Sequence, residues 1–411
     1  MIRLAAVNRA RIQADLDALA EFRDPDQPGW TRRVFSEPYI RSREWVASRM
    51  SEAGLQVERD TAGNLIGTLA GTEGGPALAA GSHTDTVSGG GRFDGPVGVL
   101  GAIEAARCIA ESGRRLNHDL RVIDFLGEEP NDFGLSCVGS RAIAGGLTME
   151  HLALRDPDGR SLAEALSACG GVPSRVADAA WADGVVRSFV ELHIEQGPVL
   201  EQMGVPIGVV SGIAGIERVQ VTFTGQADHA GTTPMASRHD ALCAAADAIL
   251  AVERLASDSG GVGTVGRIES LPGALNVVPG RVDLWAEFRH TSASRLESTR
   301  RTFDEEAIAA GARRGIGVAV KSLSRTEPVA AAPEVLAAMA EALSRLGLES
   351  VSLPSGAGHD TVQMARLGPV GMLFVPSAGG RSHCPEEWTS PEQLEAGVSA
   401  LLATLLVLDS R

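Results

Sequence analysis

The chain has 411 residues, 44% hydrophobic and 22% charged, which is typical of a globular enzyme with two domains or with one large domain and an insertion. Its formal net charge of −15, without a basic block, argues against nucleic acid as a partner. No apolar run approaches the roughly 20 residues that span a bilayer, and the segment Met1–Asp17 lacks the apolar core of a signal peptide.

The first half of the chain alternates predicted helices and strands. Segment 41–54 has the pattern of an amphipathic helix that ends at Gly54, and 55–71 that of a hairpin. Buried strands are predicted at 76–83, 120–126 and 188–195, with a helix over 97–112. Strands separated by helices predict an α/β core with a mixed, mostly parallel sheet.

The pattern changes after Gly212. Strands with one wet face alternate with two long helices, at about 237–255 and 293–313, which predicts a compact βαββαβ unit. We therefore expect a discontinuous catalytic core, residues 1–211 and 328–411, with an inserted α+β domain at 212–327.

Ligand-type side chains follow the predicted strands of the core. They are His83 with Asp85, Asp94, the pair Glu128 and Glu129, His193, and His383. Each cluster has a structural alternative: a His-x-Asp pair without a ligand, a helix N-cap at Asp94, a solvated acid pair, or a core histidine. Because strand ends of an open α/β sheet meet at one edge, their coincidence favours a metal site. Mixed nitrogen and oxygen ligands suit zinc, manganese, cobalt or nickel.

A series of motifs also carries a family resemblance. SHTDTV, FDGPVGV, EE, ELHIEQGPVLE, GQADHAGTTPM, SGAGHD and SHCPEE resemble, in this order, the N-carbamoyl-L-amino acid hydrolase and allantoate amidohydrolase branch of the M20 metallopeptidase-like enzymes. The resemblance implies two divalent metal ions, one held by His83, Asp94 and His193, the other by Asp94, Glu129 and His383. It further implies that Glu128 is the general base, that Asp85 orients His83, and that the insert is a lid and dimerisation domain of a homodimer.

The same resemblance implies the substrate contacts. They are Gln196, His229, Asn276 and Arg289, together with Gly358 and His359 of the glycine-rich loop. Arg289 would grip a carboxylate, and His229 would stabilise the oxyanion. The alternatives are a surface salt-bridge partner for Arg289 and a turn residue for His229.

These implications predict hydrolysis of the ureido or amide C–N bond of an N-carbamoyl-L-amino acid, or a similar small carboxylate substrate, by a metal-bridging water that Glu128 activates. Allantoate, ureidoglycolate, N-acyl amino acids and dipeptides stay open as substrates, because Pro130-Asn131-Asp132 departs from the EEGSRF of common relatives. An inactive metal-dependent binding protein is a remote alternative, since a binder needs no base. A serine hydrolase has little support, because no G-x-S-x-G motif is present.

The five cysteines indicate the compartment. They form no CxxC pair, and we interpret them as reduced thiols of a cytoplasmic protein that does not contact a membrane.

Overall fold

The structure of the protein, a computed structural model, describes residues 6–411. The first five residues of the segment that we weighed as a signal peptide lie outside the described residues. The helices are α1 Arg9–Ala20, α2 Glu37–Glu52, α3 Pro96–Glu111, α4 Val138–Ile143, α5 Met149–Leu152, α6 Leu162–Ala168, α7 Val199–Met203, α8 Ala241–Ser259, α9 Ala293–Ala312, α10 Pro333–Leu346, α11 Thr361–Met364 and α12 Pro391–Asp409. The strands are β1 Gln56–Arg59, β2 Leu65–Leu69, β3 Ala77–His83, β4 Leu120–Phe125, β5 Val186–Ile194, β6 Ile207–Ile213, β7 Gly215–Thr224, β8 Val262–Leu271, β9 Arg281–His290, β10 Gly317–Thr326, β11 Val329–Ala330, β12 Ser350–Ser355 and β13 Val370–Val375.

The chain divides into two compact units. The first runs from the start of the described residues to Ser211 and continues over Ala331–Leu353 and His359–Arg411. The second comprises Gly212–Ala330 and the short segment Pro354–Gly358. The sequence did not indicate that this short segment joins the second unit. The assignment of the second unit as a lid and dimerisation domain stays a prediction.

The first unit is built on a mixed sheet in the order β1-β2-β4-β3-β5-β13-β6. The four central strands, β4, β3, β5 and β13, run parallel to one another, and the outer strands pair antiparallel. Strands β3 and β13 are buried along their whole length, because a central parallel strand is covered on both faces. The predicted α/β class and mixed sheet are confirmed.

Helices α3 and α12 pack against this sheet in the main hydrophobic core. Helix α3 begins at Pro96, where the fixed φ of proline suits the first helical position. It approaches β5 so closely that a Cβ at Gly98 would lie 2.4 Å from the carbonyl oxygen of Leu192. Helix α3 can therefore pack this closely against β5, the strand that bears His193, only because residue 98 is a glycine.

Helix α12 is long and rich in apolar residues. It is the single helix in residues 6–411 whose length and composition would allow a membrane crossing, with a mean hydropathy of 1.3 over its most apolar window. It contains Glu392, Glu395 and Asp409, so its uninterrupted apolar stretch is shorter than the helix itself. Most of that window is buried in the protein, and this burial accounts for its apolar residues.

The second unit contains an antiparallel sheet in the order β10-β7-β9-β8. Helices α8 and α9 supply apolar side chains to its own core, in which Val221, Leu284 and Phe303 are fully buried. On β7 buried positions alternate with more accessible ones, as expected for a strand with one wet face. The predicted order of strands and helices in this region agrees with the structure.

Candidate functional site

Three neighbouring parallel strands deliver site residues to one edge of the first-unit sheet. His83 is the last residue of β3, His193 is the second-last of β5, and the pair Glu128 and Glu129 follows the end of β4. All four residues are at most 8% exposed. Because the three strands are parallel, their carboxyl ends coincide, and the four side chains meet in a buried pocket.

Asp94 lies at the centre of this cluster. One carboxylate oxygen, Oδ1, lies 3.1 Å from His193 Nε2 and 3.8 Å from His83 Nε2. The other oxygen, Oδ2, lies 3.1 Å from His383 Nε2, which in turn lies 3.4 Å from Glu129 Oε1. The two groups His83, Asp94, His193 and Asp94, Glu129, His383 thus each bring three ligand atoms within 4.8 Å of one another. Asp94 is common to both groups, as expected of a carboxylate that is shared between two metal ions.

Glycine allows Asp94 to come so near His83. Gly95 has φ 83°, and a Cβ on it would lie 2.5–2.6 Å from the atoms of the His83 ring. A side chain at this position would be strained by the backbone and would collide with the imidazole.

The histidine rings of the first group are oriented by their backbones. His83 Nδ1 lies 3.1 Å from the carbonyl oxygen of Asp85, and His193 Nδ1 lies 2.9 Å from that of Ile194. Each Nδ1 therefore carries a ring proton, and in the neutral imidazole each Nε2 presents a lone pair toward Asp94. His193 Nε2 is buried without a hydrogen bond. Lone pairs that face a carboxylate in a buried site need a cation between them, so this donor set fits a metal ion.

Asp85 holds two parts of the site at once. Its carboxylate accepts the backbone N–H groups of Glu128, at 3.2 Å, and Glu129, at 3.1 Å. The same carboxylate lies 3.5 Å from His83 Nδ1. It is fully buried, so these contacts fix the acid pair relative to the histidine.

The electrostatics of the cluster show an excess of negative charge. Burial raises the pKa of Glu129 to about 7, and the neighbouring charge of Asp94 adds to this effect. Burial likewise raises the pKa of Glu128 well above its ordinary value. A hydrogen bond with Asp94 raises the pKa of His383 to about 9. Like-charged carboxylates in a buried site favour positive partners, which divalent cations would supply.

Glu128 is set apart from the ligand groups. Its Oε2 lies 3.8 Å from His83 Nε2, and its Oε1 accepts a hydrogen bond from the thiol of Cys137 at 3.5 Å. A buried carboxylate beside the cluster, held at one oxygen by a weak donor, has the second oxygen free to accept a proton.

Gln196 and His359 also lie at the cluster. Gln196 Nε2 donates to Asp94 Oδ2 at 2.6 Å and lies 3.5 Å from His383 Nε2. The buried ring of His359 packs edge-on against His193, with 4.7 Å between centroids. A third group of possible ligands, Glu191, His193 and His359, is also present. Both oxygens of Glu191 already accept hydrogen bonds, from the hydroxyls of Ser82 and Thr361, so this group is a structural network.

His229 belongs to the second unit and is exposed. Its Nδ1 accepts the backbone N–H groups of Gly231, at 3.0 Å, and Thr232, at 3.2 Å. Since Nδ1 is an acceptor, the ring proton of the neutral imidazole lies on Nε2. His229 therefore presents a single N–H donor to solvent, as an oxyanion contact requires.

Arg289 and Asn276 lie in the same unit. Arg289 Nε donates to Glu287 Oε1 at 2.6 Å, and one terminal nitrogen donates to the carbonyl of Gly356 at 2.6 Å. Within residues 6–411, the other terminal nitrogen has neither of these two partners. Asn276 is exposed, and its carbonyl accepts the N–H of Ala230, next to His229. Gly358, also exposed, ends the short segment that Arg289 contacts.

Some residues at the site were missed from the sequence. Glu387 and Ser382 bind the Asp94 region through hydrogen bonds, and Cys137 contacts Glu128. Gln196, Cys137 and His383 all have positive φ, which for non-glycine residues often marks a functional site. The adjacent acids of SHCPEE were a signal for Glu387, but the pattern does not tell which acid is buried.

Comparisons with known proteins identify the family of this chain. The profile of peptidase family M20/M25/M40 matches residues 79–407. An N-carbamoyl-L-amino acid amidohydrolase of Geobacillus stearothermophilus is 41% identical over 96% of this chain and 97% of its own length. A ureidoglycolate hydrolase of Arabidopsis thaliana is 38% identical over 98% of this chain and 87% of its own length.

A solved structure extends the likeness to the fold. The crystal structure of a hydantoinase/carbamoylase family amidase from Burkholderia multivorans superposes with a TM-score of 0.90, at 34% identity, and covers 99% of each chain. The resemblance stated from the motifs is thereby confirmed.

Proposed function

This chain belongs to peptidase family M20/M25/M40 and is a metal-dependent amidohydrolase, and we propose that it hydrolyses the ureido C–N bond of an N-carbamoyl-L-amino acid. The observation that carries the proposal is the convergence of His83, Asp94, His193, Glu129 and His383 beside a buried carboxylate, Glu128, that is in neither ligand group. A site that only bound metals would need the ligands without this further acid.

The ligand atoms divide between two cations. His83, Asp94 and His193 would hold one, and Asp94, Glu129 and His383 the other. Zinc, manganese, cobalt and nickel all suit such nitrogen and oxygen donors. The cations would supply Lewis acidity toward the scissile carbonyl and toward the attacking water.

Glu128 is the general base of the proposed reaction. It accepts a proton from the attacking water and returns it to the leaving nitrogen as the C–N bond breaks. Its backbone is fixed by Asp85, so the carboxylate needs little reorganisation between the two transfers. An N-carbamoyl substrate then yields the free amino acid and carbamate, which decays to carbon dioxide and ammonia.

The second unit would supply recognition. The Nε2–H of His229 stabilises the negative charge that develops on the carbonyl oxygen. Arg289 would bind the substrate carboxylate mainly through its second terminal nitrogen, because Nε donates to Glu287 and the first terminal nitrogen donates to the carbonyl of Gly356. Gln196, Asn276, Gly358 and His359 would supply the remaining substrate contacts. Closure of the second unit over the first would bring these groups to the cations.

Ureidoglycolate is the second candidate substrate. The Arabidopsis thaliana ureidoglycolate hydrolase is almost as similar to this chain as the Geobacillus stearothermophilus carbamoylase. The loop after the acid pair distinguishes this chain from the EEGSRF pattern. Its Asp132 forms an ion pair with Arg33, and its Phe133 packs edge-on against Phe35. The loop is therefore held in a defined conformation beside the site.

A homodimer through the second unit is part of the proposal. Strand β8 is an edge strand of that unit's sheet, and its Val262, Ile268 and Leu271 are exposed, as is Leu275 beyond it. An edge with exposed apolar side chains favours pairing with another chain, and two-fold pairing would close it. Cytoplasmic location stays a prediction, with which the five free thiols are consistent.

The test is a substrate panel with controlled metal content. The chelated protein should lose activity, and readdition of manganese, cobalt, nickel or zinc should restore it. Ammonia release should be fastest with N-carbamoyl-L-amino acids, and slower with ureidoglycolate, allantoate and N-acyl amino acids. A preference for ureidoglycolate would replace the first substrate by the second. Full turnover by metal-free protein, or no turnover of any member by reloaded protein, would overturn the proposal.

A further inference from the structure

Glu387 is a buried carboxylate that the proposed mechanism does not use. It is 2% exposed, although it lies in a loop and follows another acid, Glu386. Glu386 is exposed and pairs with Arg381 at 3.0 Å on the surface. Burying one of two adjacent acids is unfavourable unless its carboxylate oxygens have hydrogen-bond partners.

Both oxygens of Glu387 bind groups around Asp94. Oε1 accepts the backbone N–H of Phe93 at 2.8 Å and that of Asp94 itself at 3.0 Å. Oε2 accepts the hydroxyl of Ser382 at 2.9 Å, and this hydroxyl also lies 2.7 Å from Asp94 Oδ2. Hydrogen bonds to a carboxylate are stronger than neutral ones. Glu387 thus joins the backbone that bears Asp94 to the loop that bears His383.

Steric contacts also hold the Glu387 loop against the segment that bears Asp94. A Cβ on Gly91 would lie 2.2 Å from Glu387 Oε1, so the carboxylate occupies the space that a side chain would need. Gly91 does not have a positive φ, so this glycine provides room and not an unusual backbone. On the other side, Trp388 packs edge-on against Phe93, with 5.4 Å between ring centroids.

These contacts of Glu387 lie next to His383, a candidate metal ligand with a strained backbone. His383 has φ 56°, which is uncommon for a residue with a side chain and persists when surrounding contacts hold it. Ser382, immediately before it, and Glu387, four residues after it, anchor this loop to the Asp94 segment on both sides of His383. The His383 ring is 46% exposed, so little side-chain packing fixes it.

We propose that Glu387 is a positioning residue that assembles the ligand group Asp94, Glu129 and His383 for the second cation. The inference rests on the proposed function, because it takes this group to hold a metal ion. A hydroxyl has one proton, so Ser382 can donate to Asp94 or to Glu387, but not to both. When a cation occupies Asp94, the Ser382 hydroxyl donates to Glu387 instead. Metal binding and the Ser382–Glu387 hydrogen bond therefore favour each other.

The experiment measures metal binding and not turnover. Metal-free protein is titrated with manganese by calorimetry, and bound metal is counted after dialysis. Glu387→Ala should weaken the weaker of the two binding steps about 10–100-fold, the usual loss when a residue that supports a ligand is removed. Glu387→Gln keeps an oxygen for the two amides and should lose less. Glu386→Ala, a matched loss of one acid on the surface, should bind like the parent.

A second variant reaches the same contact from the other side. Gly91→Ala should displace the Glu387 carboxylate and reproduce the loss of the weaker step, while thermal unfolding reports whether each variant is folded. If Glu387→Ala does not fold, Glu387→Gln and Gly91→Ala decide. Parent-like binding by both Glu387→Ala and Gly91→Ala, or an equal loss in Glu386→Ala, would overturn the inference. A parent that binds fewer than two cations would instead overturn the proposed function.

Discussion

The ligand cluster of the first unit and the recognition residues of the second are held in different ways. His83, Asp94 and His193 are buried, and neighbouring side chains or backbone carbonyls fix each of them. His229 and Asn276 are exposed, and short backbone contacts orient them within their own loops. Buried groups are costly to rearrange, whereas exposed groups can adapt to a ligand. The buried ligand residues thus have a fixed geometry, whereas the exposed residues of the second unit stay accessible to a ligand.

The largest effect should come from removing the base of the buried cluster. Glu128→Gln keeps the size of the side chain but cannot accept a proton, so kcat should fall roughly 10²–10⁴-fold. Metal content should stay near that of the parent, because Glu128 lies outside both ligand groups. The measurement is kcat together with bound metal. As the matched control, Glu129→Gln should lose metal as well as activity, and the opposite result would exchange the roles of the two acids.

A smaller effect is expected from the oxyanion donor of the second unit. His229→Ala removes the Nε2–H, and kcat should fall about 10²–10³-fold with metal binding unchanged. Steady-state kinetics and metal titration together separate this result from loss of the cluster. A drop in metal affinity would contradict the division between the two regions.

The same variant tests the proposed dimer. Mixing His229→Ala subunits with Glu128→Gln subunits should restore activity if His229 acts on the partner's site, because one site in each mixed dimer then has both groups. No recovery, despite proven subunit exchange, would place His229 at the site of its own subunit. A monomer with full activity in dilute solution would remove the dimer from the proposal.

The smallest effect should be confined to substrate binding. Arg289→Lys keeps the charge but loses the planar fork, and KM for carboxylate substrates should rise about 10–100-fold. Substrates whose carboxylate is replaced by an amide should be nearly unaffected, since they never used the fork. Comparing KM for the two substrate classes is the measurement. An equal rise for both would make Arg289 a structural partner of Glu287 and Gly356, which its observed contacts also allow.

The sequence determined the elements that carry the cluster. The helix over 97–112 and the strands at 76–83, 120–126 and 188–195 agree with α3, β3, β4 and β5 to within a few residues. Local periodicity and turn residues encode such elements without reference to the rest of the chain. The motifs also placed His83, His193 and the acid pair at strand ends, and the parallel sheet brings those ends together.

Tertiary structure decided what the motifs left open. The sequence offered two acids at 386–387, but only packing against Gly91 and the amides of Phe93 and Asp94 makes Glu387 the buried one. Likewise, the tautomer of His229 and the orientation of the Arg289 guanidinium depend on partners that the fold brings to them. Residue types and their order encode which groups can do chemistry. Their burial, orientation and hydrogen bonds arise from contacts between distant segments, which no local pattern contains.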